Sequence, residues 1–380
     1  METVTEEPTY RYCTEIMVKE VHLQKELLKK QLEQQGDSLI LAGNQRLLKI
    51  HIHTNNPQAV LSMVERYGQV TQQKVDDMLL QFEVTKARKY PIALVTDSVA
   101  DLPAEFLLKE QIHVLPMNIL IDDQSYLDKL TINGSGIQEK ALTASTLSTA
   151  QPAVRSVDAL LSFLEDKYEA VLVITVASKL SGTYQLLKQR IAAKQWPAEK
   201  IQVIDSKLNS AAQGLLVQEA VRQLRKGGSL QEVAAAVTGA RQRCFIYVAV
   251  ADLEPMLRSG RIPKGVGRLA QNLHLFPIVC LNAAGEGKLK GIAFTQRQSE
   301  RKIVKSIERL KKKNQVTALA ITHANNAAEA QRMRQALSAD EDESGVNGGV
   351  DFVVESSAVI AISAGSGSVA VAGILKEEEQ

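Results

Sequence analysis

The chain has 380 residues, 45% of them hydrophobic, with 45 basic and 43 acidic side chains and a formal net charge of +2. That length predicts two or three domains with cores of their own, and the near balance of charge gives no electrostatic reason to expect nucleic acid or an anionic membrane surface as partner. There is no apolar run of about 18 residues to suggest a spanning helix, the acidic, polar start is unlike a secretory signal, and the three scattered cysteines, Cys13, Cys244 and Cys280, fit a reducing cytoplasm better than a disulfide scaffold.

Up to about Glu83 the apolar periodicity predicts strand 12–19, helix 23–34, strands 38–42 and 47–53, helix 57–67 and strand 70–75, punctuated by Gly36-Asp37, Gly43-Asn44 and Gly68. This βαββαβ order predicts a small α+β domain of the ferredoxin-like kind over residues 1–84. His51 and His53 are two apart on a strand and so share a face, and Cys13 and Glu15 have the same relation on another. If those strands are neighbours, a thiolate, two imidazoles and a carboxylate converge, a donor set that suits Zn²⁺. The alternative at this spacing is a buried cysteine and two histidines hydrogen-bonded within a sheet. The charged segment 85–90, TKARKY, reads as a linker.

From Pro91 to the end, β-branched strands alternate with helical spacers: 92–96, 112–120, 171–176, 201–204, 245–250, 276–281, 316–322 and 350–355. Continuous apolar runs of this kind predict parallel strands covered on both faces. Several end in small polar residues, and ligands of open α/β sheets bind at such carboxyl ends. The turn 177–185, ASKLSGTYQ, hands a strand over to a helix and gathers the hydroxyls of Ser178, Ser181 and Thr183 around Gly182. Free N–H groups at a helix start favour an anion there. In the sequence no His or Asp stands beside these serines, so the turn is expected to hold a carboxylate or phosphate and not to attack a carbonyl. The plainer alternative is a helix cap. Asp97 and Ser98, at the end of the first strand of this region, are expected to line the same crevice. His113 and His274 read as packing residues, His323 as a crevice candidate, Lys311–Lys313 as a helix end matched to its dipole, and 338–349 as a solvated acidic loop. Gly265-x-Gly267-x-x-Ala270 mimics a dinucleotide fingerprint but does not follow a strand.

Thr96-Asp97-Ser98 with Ala100-Asp101-Leu102-Pro103, Thr149-x-Gln151-Pro152, Ser178-x-Leu180-Ser181-Gly182-Thr183-Tyr184-Gln185, Asp205-Ser206, Gly260-Arg261-Ile262 and Gly365-x-Gly367 follow one another along the chain. In that order they make residues 91–376 resemble the DegV family of fatty-acid-binding proteins. Tyr12-Cys13-Thr14-Glu15, Gly36-Asp37-Ser38 and His51-Ile52-His53-Thr54-Asn55-Asn56-Pro57 make residues 12–82 resemble the middle domain of the kinase subunit of bacterial fatty acid kinase, a dihydroxyacetone-kinase-related protein.

The first resemblance implies a two-lobed α/β domain over 91–380 with mainly parallel sheets and an acyl chain between the lobes. It implies a long-chain fatty acid as the bound ligand, its carboxylate held by Thr149, Ser178, Ser181, Gly182 and Thr183 with Arg261 close by, and Asp97, Ser98 and Ser363 lining the crevice. The second implies zinc on Cys13, His51 and His53, with Glu15 as a further ligand or an orienting group. Together they imply a cytoplasmic lipid carrier whose partner is the ATP-binding domain of a fatty acid kinase, for acyl-phosphate formation in phospholipid synthesis. No nucleotide or Mg²⁺ motif is visible, so phosphoryl transfer is not expected of this chain alone. The alternative is a zinc-dependent hydrolase of acyl or phosphate esters. The sequence departs from the DegV pattern in having Ser363 where a histidine is expected near the headgroup, Ala150 where a serine is expected, and Lys129 where a glycine is expected. The fold is expected to survive these changes, with ligand preference altered.

Overall fold

Alternating burial along Tyr12–Lys19 and Leu47–Thr54 builds the middle of the first sheet of the computed structural model, which describes residues 6–21, 25–261, 275–313, 315–338 and 349–377. Ile262, the Gly265-x-Gly267-x-x-Ala270 run, His274 and most of the acidic stretch 338–349 lie outside the described residues. The contacts divide the chain into two units, residues 1–89 with 116–167 and residues 90–115 with 168–380.

In the first unit, strands β1 (Tyr12–Lys19), β2 (Gly36–Gly43), β3 (Leu47–Thr54) and β4 (Gln69–Asp77) form an antiparallel sheet in the order β2-β3-β1-β4. That is the ferredoxin-like order the sequence predicts. Thr14, Ile16, Val18, Leu48, Ile50 and Ile52 are buried. The period of two therefore turns Cys13, Glu15, His51 and His53 to the opposite, less covered face. Helices Lys25–Leu32 and Pro57–Val64 are the crossovers. The second starts where the sequence says it must: Pro57 is its first residue and the Asn56 side chain accepts from the Ala59 N–H at 3.0 Å. A third helix, Met78–Ala87, carries the chain into the segment read as a linker.

Strands β5 (Ile92–Asp97) and β6 (His113–Leu115) belong to the second unit, and β7 (Asn118–Ile121), β8 (Gln124–Leu127) and β9 (Leu147–Ala150) form a three-stranded sheet in the first. The single strand expected over 112–120 is thus two strands. Pro116 separates them, and a residue with no N–H and a fixed φ cannot continue a ladder.

In the second unit β10 (Ala170–Thr175) and β11 (Ile201–Asp205) join β5 and β6 in a wholly parallel sheet, β11-β10-β5-β6. The other sheet takes β12 (Cys244–Ala249), β13 (Phe276–Leu281), β14 (Gly287–Ala293), β15 (Val316–His323), β16 (Val350–Glu355) and β17 (Val369–Leu375) in the order β14-β13-β12-β17-β15-β16. Only its β15–β16 pair is parallel, so the parallel expectation holds for the four-stranded sheet and the six-stranded one is mixed. Continuous apolar runs report burial on both faces and not strand direction. Moreover β17, which the sequence pattern did not predict as a strand, runs antiparallel between β12 and β15.

Helix Ser210–Arg225 lies between these two sheets, with twelve of its sixteen residues buried. Its Ala211, Leu215 and Leu216 share one core with Leu94 and Ile174 of the parallel sheet and Ile246 and Ala372 of the mixed one. Gly214 permits that approach, because a Cβ there would stand 2.4 Å from the Asp101 carbonyl oxygen.

His113 is a packing residue, as expected. It is buried in β6 opposite Val95, with Nε2 2.9 Å from the Tyr168 hydroxyl, and burial pushes its pKa down from 6.5 to about 4. The folded protein keeps the ring neutral while the unfolded chain protonates it readily. Its contribution is therefore present above pH 6.5 and lost as pH falls towards 4. Denaturant titrations over that window should show a loss of up to about 3 kcal/mol from this group. The His113→Gln variant should lose less than the parent over the same window. An identical pH dependence in the variant would assign the effect to other groups.

Candidate functional site

Among the described residues, two places gather candidate site residues. The first is the less covered face of the β2-β3-β1-β4 sheet. Register sets Cys13 opposite His53 and Glu15 opposite His51. Cys13 Sγ lies 3.8 Å from His51 Nδ1, and the two Nε2 atoms of His51 and His53 are 3.3 Å apart. One ligand atom from each of the three residues falls within 4.8 Å of the others. Two nitrogens bound to one tetrahedral zinc at about 2.0–2.1 Å stand roughly 3.3–3.4 Å apart, so the donor types and the Nε2–Nε2 spacing fit the ion, while the 3.8 Å approach of Cys13 is to the other nitrogen of His51. Glu15 sits at the rim, with Oε1 3.7 Å from His51 Nδ1 and Oε2 3.1 Å from Lys49 Nζ. Burial works to raise the Glu15 pKa, but Lys49, helped by Lys74 and His51, holds it below its ordinary value. Asp37, which the sequence pattern did not place here, has Oδ1 3.3 Å from His53 Nδ1.

The second place is a cavity of about 70 Å³ within the second unit, beside the central helix. Ile246, Val248, Val279, Leu281 and Ile360 make it apolar, and Ser210, Arg261 and Ser363 give it polar groups. Arg261 Nη1 donates to Ser363 Oγ, which itself donates to the Val359 carbonyl at 2.8 Å. Burial pulls the guanidinium pKa down from its ordinary value, which is high enough for the charge to persist. Arg261 and Ser363 are thus brought together. Ser210 was not expected there. It lies at the start of the central helix with φ +51°, a backbone state that sequence does not announce.

The strand-to-helix turn forms as predicted, with Gly182 preceding helix Thr183–Ala193. Leu180 of this turn lines the cavity. Its hydroxyls have protein partners. The fold supplies the acid that the local sequence lacks: Asp205 Oδ1 accepts from the Ser178 N–H at 3.0 Å and Oδ2 from the Ser178 hydroxyl at 2.5 Å. Ser181 Oγ and Thr183 Oγ1 share a hydrogen bond at 2.9 Å. Asp97 and Ser98 are fully buried. The Asp97 carboxylate accepts from the N–H groups of Val176 at 2.7 Å and Val99 at 3.2 Å and from Gln213 Nε2 at 3.1 Å, so it ties β5, β10 and the central helix together. Thr149 belongs to the first unit, in β9 opposite Ile119. His323 Nδ1 accepts from the Asn326 N–H at 3.3 Å.

The DegV family model matches residues 91–376, and a model of the FakA-like middle domain of fatty acid kinase matches residues 9–85. A DegV domain-containing protein of Staphylococcus aureus (strain N315) is 28% identical over 234 residues, 61% of this chain and 82% of that protein. One from Clostridium acetobutylicum is 26% identical over 259 residues, 68% and 91% of the two chains. Among solved structures, the fatty-acid-binding DegV family protein of Thermus thermophilus superposes with a TM-score of 0.66 at 26% identity, covering 75% of this chain and 99% of that one. DegV of Bacillus subtilis, a fatty acid binding protein, gives 0.65 at 23% identity over 76% and 100%, a likeness of fold. Among the described residues, no helix is long and apolar enough to cross a membrane.

Proposed function

Because the chain belongs to the DegV family, we propose that it binds one fatty acid in the second unit and presents the carboxylate to the ATP-binding domain of a fatty acid kinase. The observation that carries this reading is the cavity in which Arg261 and Ser363 stand among Ile246, Val248, Val279 and Leu281. A carboxylate removed from bulk water needs a cation or several hydrogen bonds, and an acyl tail needs apolar walls. The fatty acid bound by the Thermus thermophilus protein supports the ligand class. Arg261 is the cation for the headgroup, Ser363 accepts from it and so steadies the guanidinium, and Ser210 is a further hydroxyl at the same cavity. Ser178, Ser181, Gly182 and Thr183 shape the neighbouring turn. About 70 Å³ holds two or three water-sized groups, room for a carboxyl headgroup and the start of a tail.

The kinase part of the reading rests on the middle-domain match in the same chain. Such a fusion would raise the effective concentration of carrier and kinase for each other. Zinc on Cys13, His51 and His53, with Glu15 orienting or ligating, would supply a crosslink of the sheet face by neutralising and fixing the thiolate and the two imidazoles.

Native mass spectrometry of protein purified from a bacterial host tests both parts. One fatty acid per chain, released on denaturation, is expected, together with the mass of one zinc on the intact protein. Protein that remains free of lipid after incubation with long-chain fatty acids would remove the carrier reading. The three-donor cluster on a less covered sheet face favours one other reading, a zinc-dependent hydrolase of acyl or phosphate esters. Ester turnover by the chain alone that disappears in His51→Ala would establish it, whereas acyl phosphate formed only with added kinase would establish the carrier.

A further inference from the structure

The β2 strand brings a carboxylate to the back of one histidine in the sheet-face cluster. Asp37 stands opposite His53 in the β2–β3 register, and its Oδ1 is 3.3 Å from His53 Nδ1. The same ring sets its Nε2 3.3 Å from His51 Nε2, so its two nitrogens face different partners. The local backbone is shaped for this. The register shifts between Asp37 and Ile40, and Ser38 holds φ +52°, an irregularity of the kind that re-aims a strand side chain. Gly36 lets β2 close on β3, since a Cβ there would lie 1.8 Å from the His53 carbonyl oxygen.

A neutral imidazole carries one proton and one lone pair, and the group hydrogen-bonded to one nitrogen decides which it is. A carboxylate beside Nδ1 keeps the proton there and leaves the lone pair on Nε2, inside the cluster. We propose that Asp37 is a positioning residue of the metal centre: it holds His53 in the Nδ1–H tautomer and aims Nε2 at the ion shared with Cys13 and His51. The proposal rests on the metal reading above. Asp37 itself is outside the donor set. Its side chain is half exposed, so replacing it removes no core packing.

Cobalt(II) and zinc binding by the full chain test it without any assay of activity. Cobalt reports the thiolate and the ligand geometry by visible absorption, and competition with a chromophoric chelator gives the zinc affinity. Asp37→Ala should bind zinc about 10- to 100-fold more weakly than the parent while its saturated cobalt spectrum stays the same. Asp37→Asn, whose amide oxygen still accepts from Nδ1–H, should recover part of that loss. In a His53→Ala background Asp37→Ala should cost nothing more, because it acts through that ring. Equal zinc affinity in Asp37→Ala and the parent would reduce the pair to a surface contact and overturn the proposal. A changed spectrum at saturation would overturn it differently, making Asp37 a ligand. A parent chain that takes up neither metal would overturn the metal reading itself.

Discussion

Arg261→Ala should lower the affinity for a long-chain fatty acid by about 10- to 100-fold, since a hydrogen bond to a charged partner contributes roughly 1.5–3 kcal/mol. On the proposed reading the loss arises at the headgroup, because among the described residues Arg261 is the charged side chain of the cavity lining and reaches Ser363 there. Arg261→Lys separates charge from geometry. Lysine keeps the cation but not the planar fork, so part of the affinity should return, less than the parent's. The measurement is displacement of a fluorescent fatty acid from delipidated protein, with the unfolding midpoint followed in parallel. Unchanged affinity in Arg261→Ala would take this residue out of the site and transfer the headgroup to the turn at Ser178–Thr183.

How far this site could be read from sequence depends on how its residues are joined. The four strands and two crossover helices of the first sheet follow from the period of two in β1 and β3, from Gly36 and Gly43, and from Asn56-Pro57 at a helix start. That the strands bearing Cys13 with Glu15 and His51 with His53 are neighbours follows from the same order of elements, but the register that sets Cys13 opposite His53 and Glu15 opposite His51 does not. Asp37 did not follow. Its approach to His53 depends on a shifted register and a left-handed Ser38, and neither has a distinctive residue signal. In the second unit, residues adjacent in sequence were legible as a turn, but their partners were not. Asp205 reaches Ser178 from 27 residues away, and sheet neighbours decide that, not spacing. Strand direction was hidden for a related reason. A run such as Val316–His323 is buried on both faces whether its neighbours run with it, as β16 does, or against it, as β17 does.

Asp101→Ala should destabilise the second unit by about 3–5 kcal/mol, seen as a large fall in the denaturant midpoint. Asp101 is fully buried. Its Oδ2 accepts from the Ser210 hydroxyl at 2.6 Å and its Oδ1 from the Ser357 N–H at 2.8 Å. One carboxylate therefore ties the segment after β5 to the start of the central helix and to the cap of helix Ala358–Ala364. Removing it leaves the Ser357 N–H without its acceptor and the Ser210 hydroxyl with Thr322 alone, at 3.0 Å. A buried donor that loses its acceptor costs about 1–3 kcal/mol, and donors to a charged group are at the upper end. Asp101→Asn retains an acceptor oxygen for one of the two donors and should fall between parent and alanine variant. The same residue bears on ligand binding through geometry. Ser357 caps the helix that carries Ser363 to the cavity, and Ser210 lines that cavity directly. Asp101→Asn, measured well below its unfolding midpoint, should therefore also bind fatty acid more weakly. A normal denaturant midpoint in Asp101→Ala would show that the buried carboxylate does not hold these three segments. Normal affinity in a destabilised Asp101→Asn would show instead that the cavity tolerates movement of its polar end.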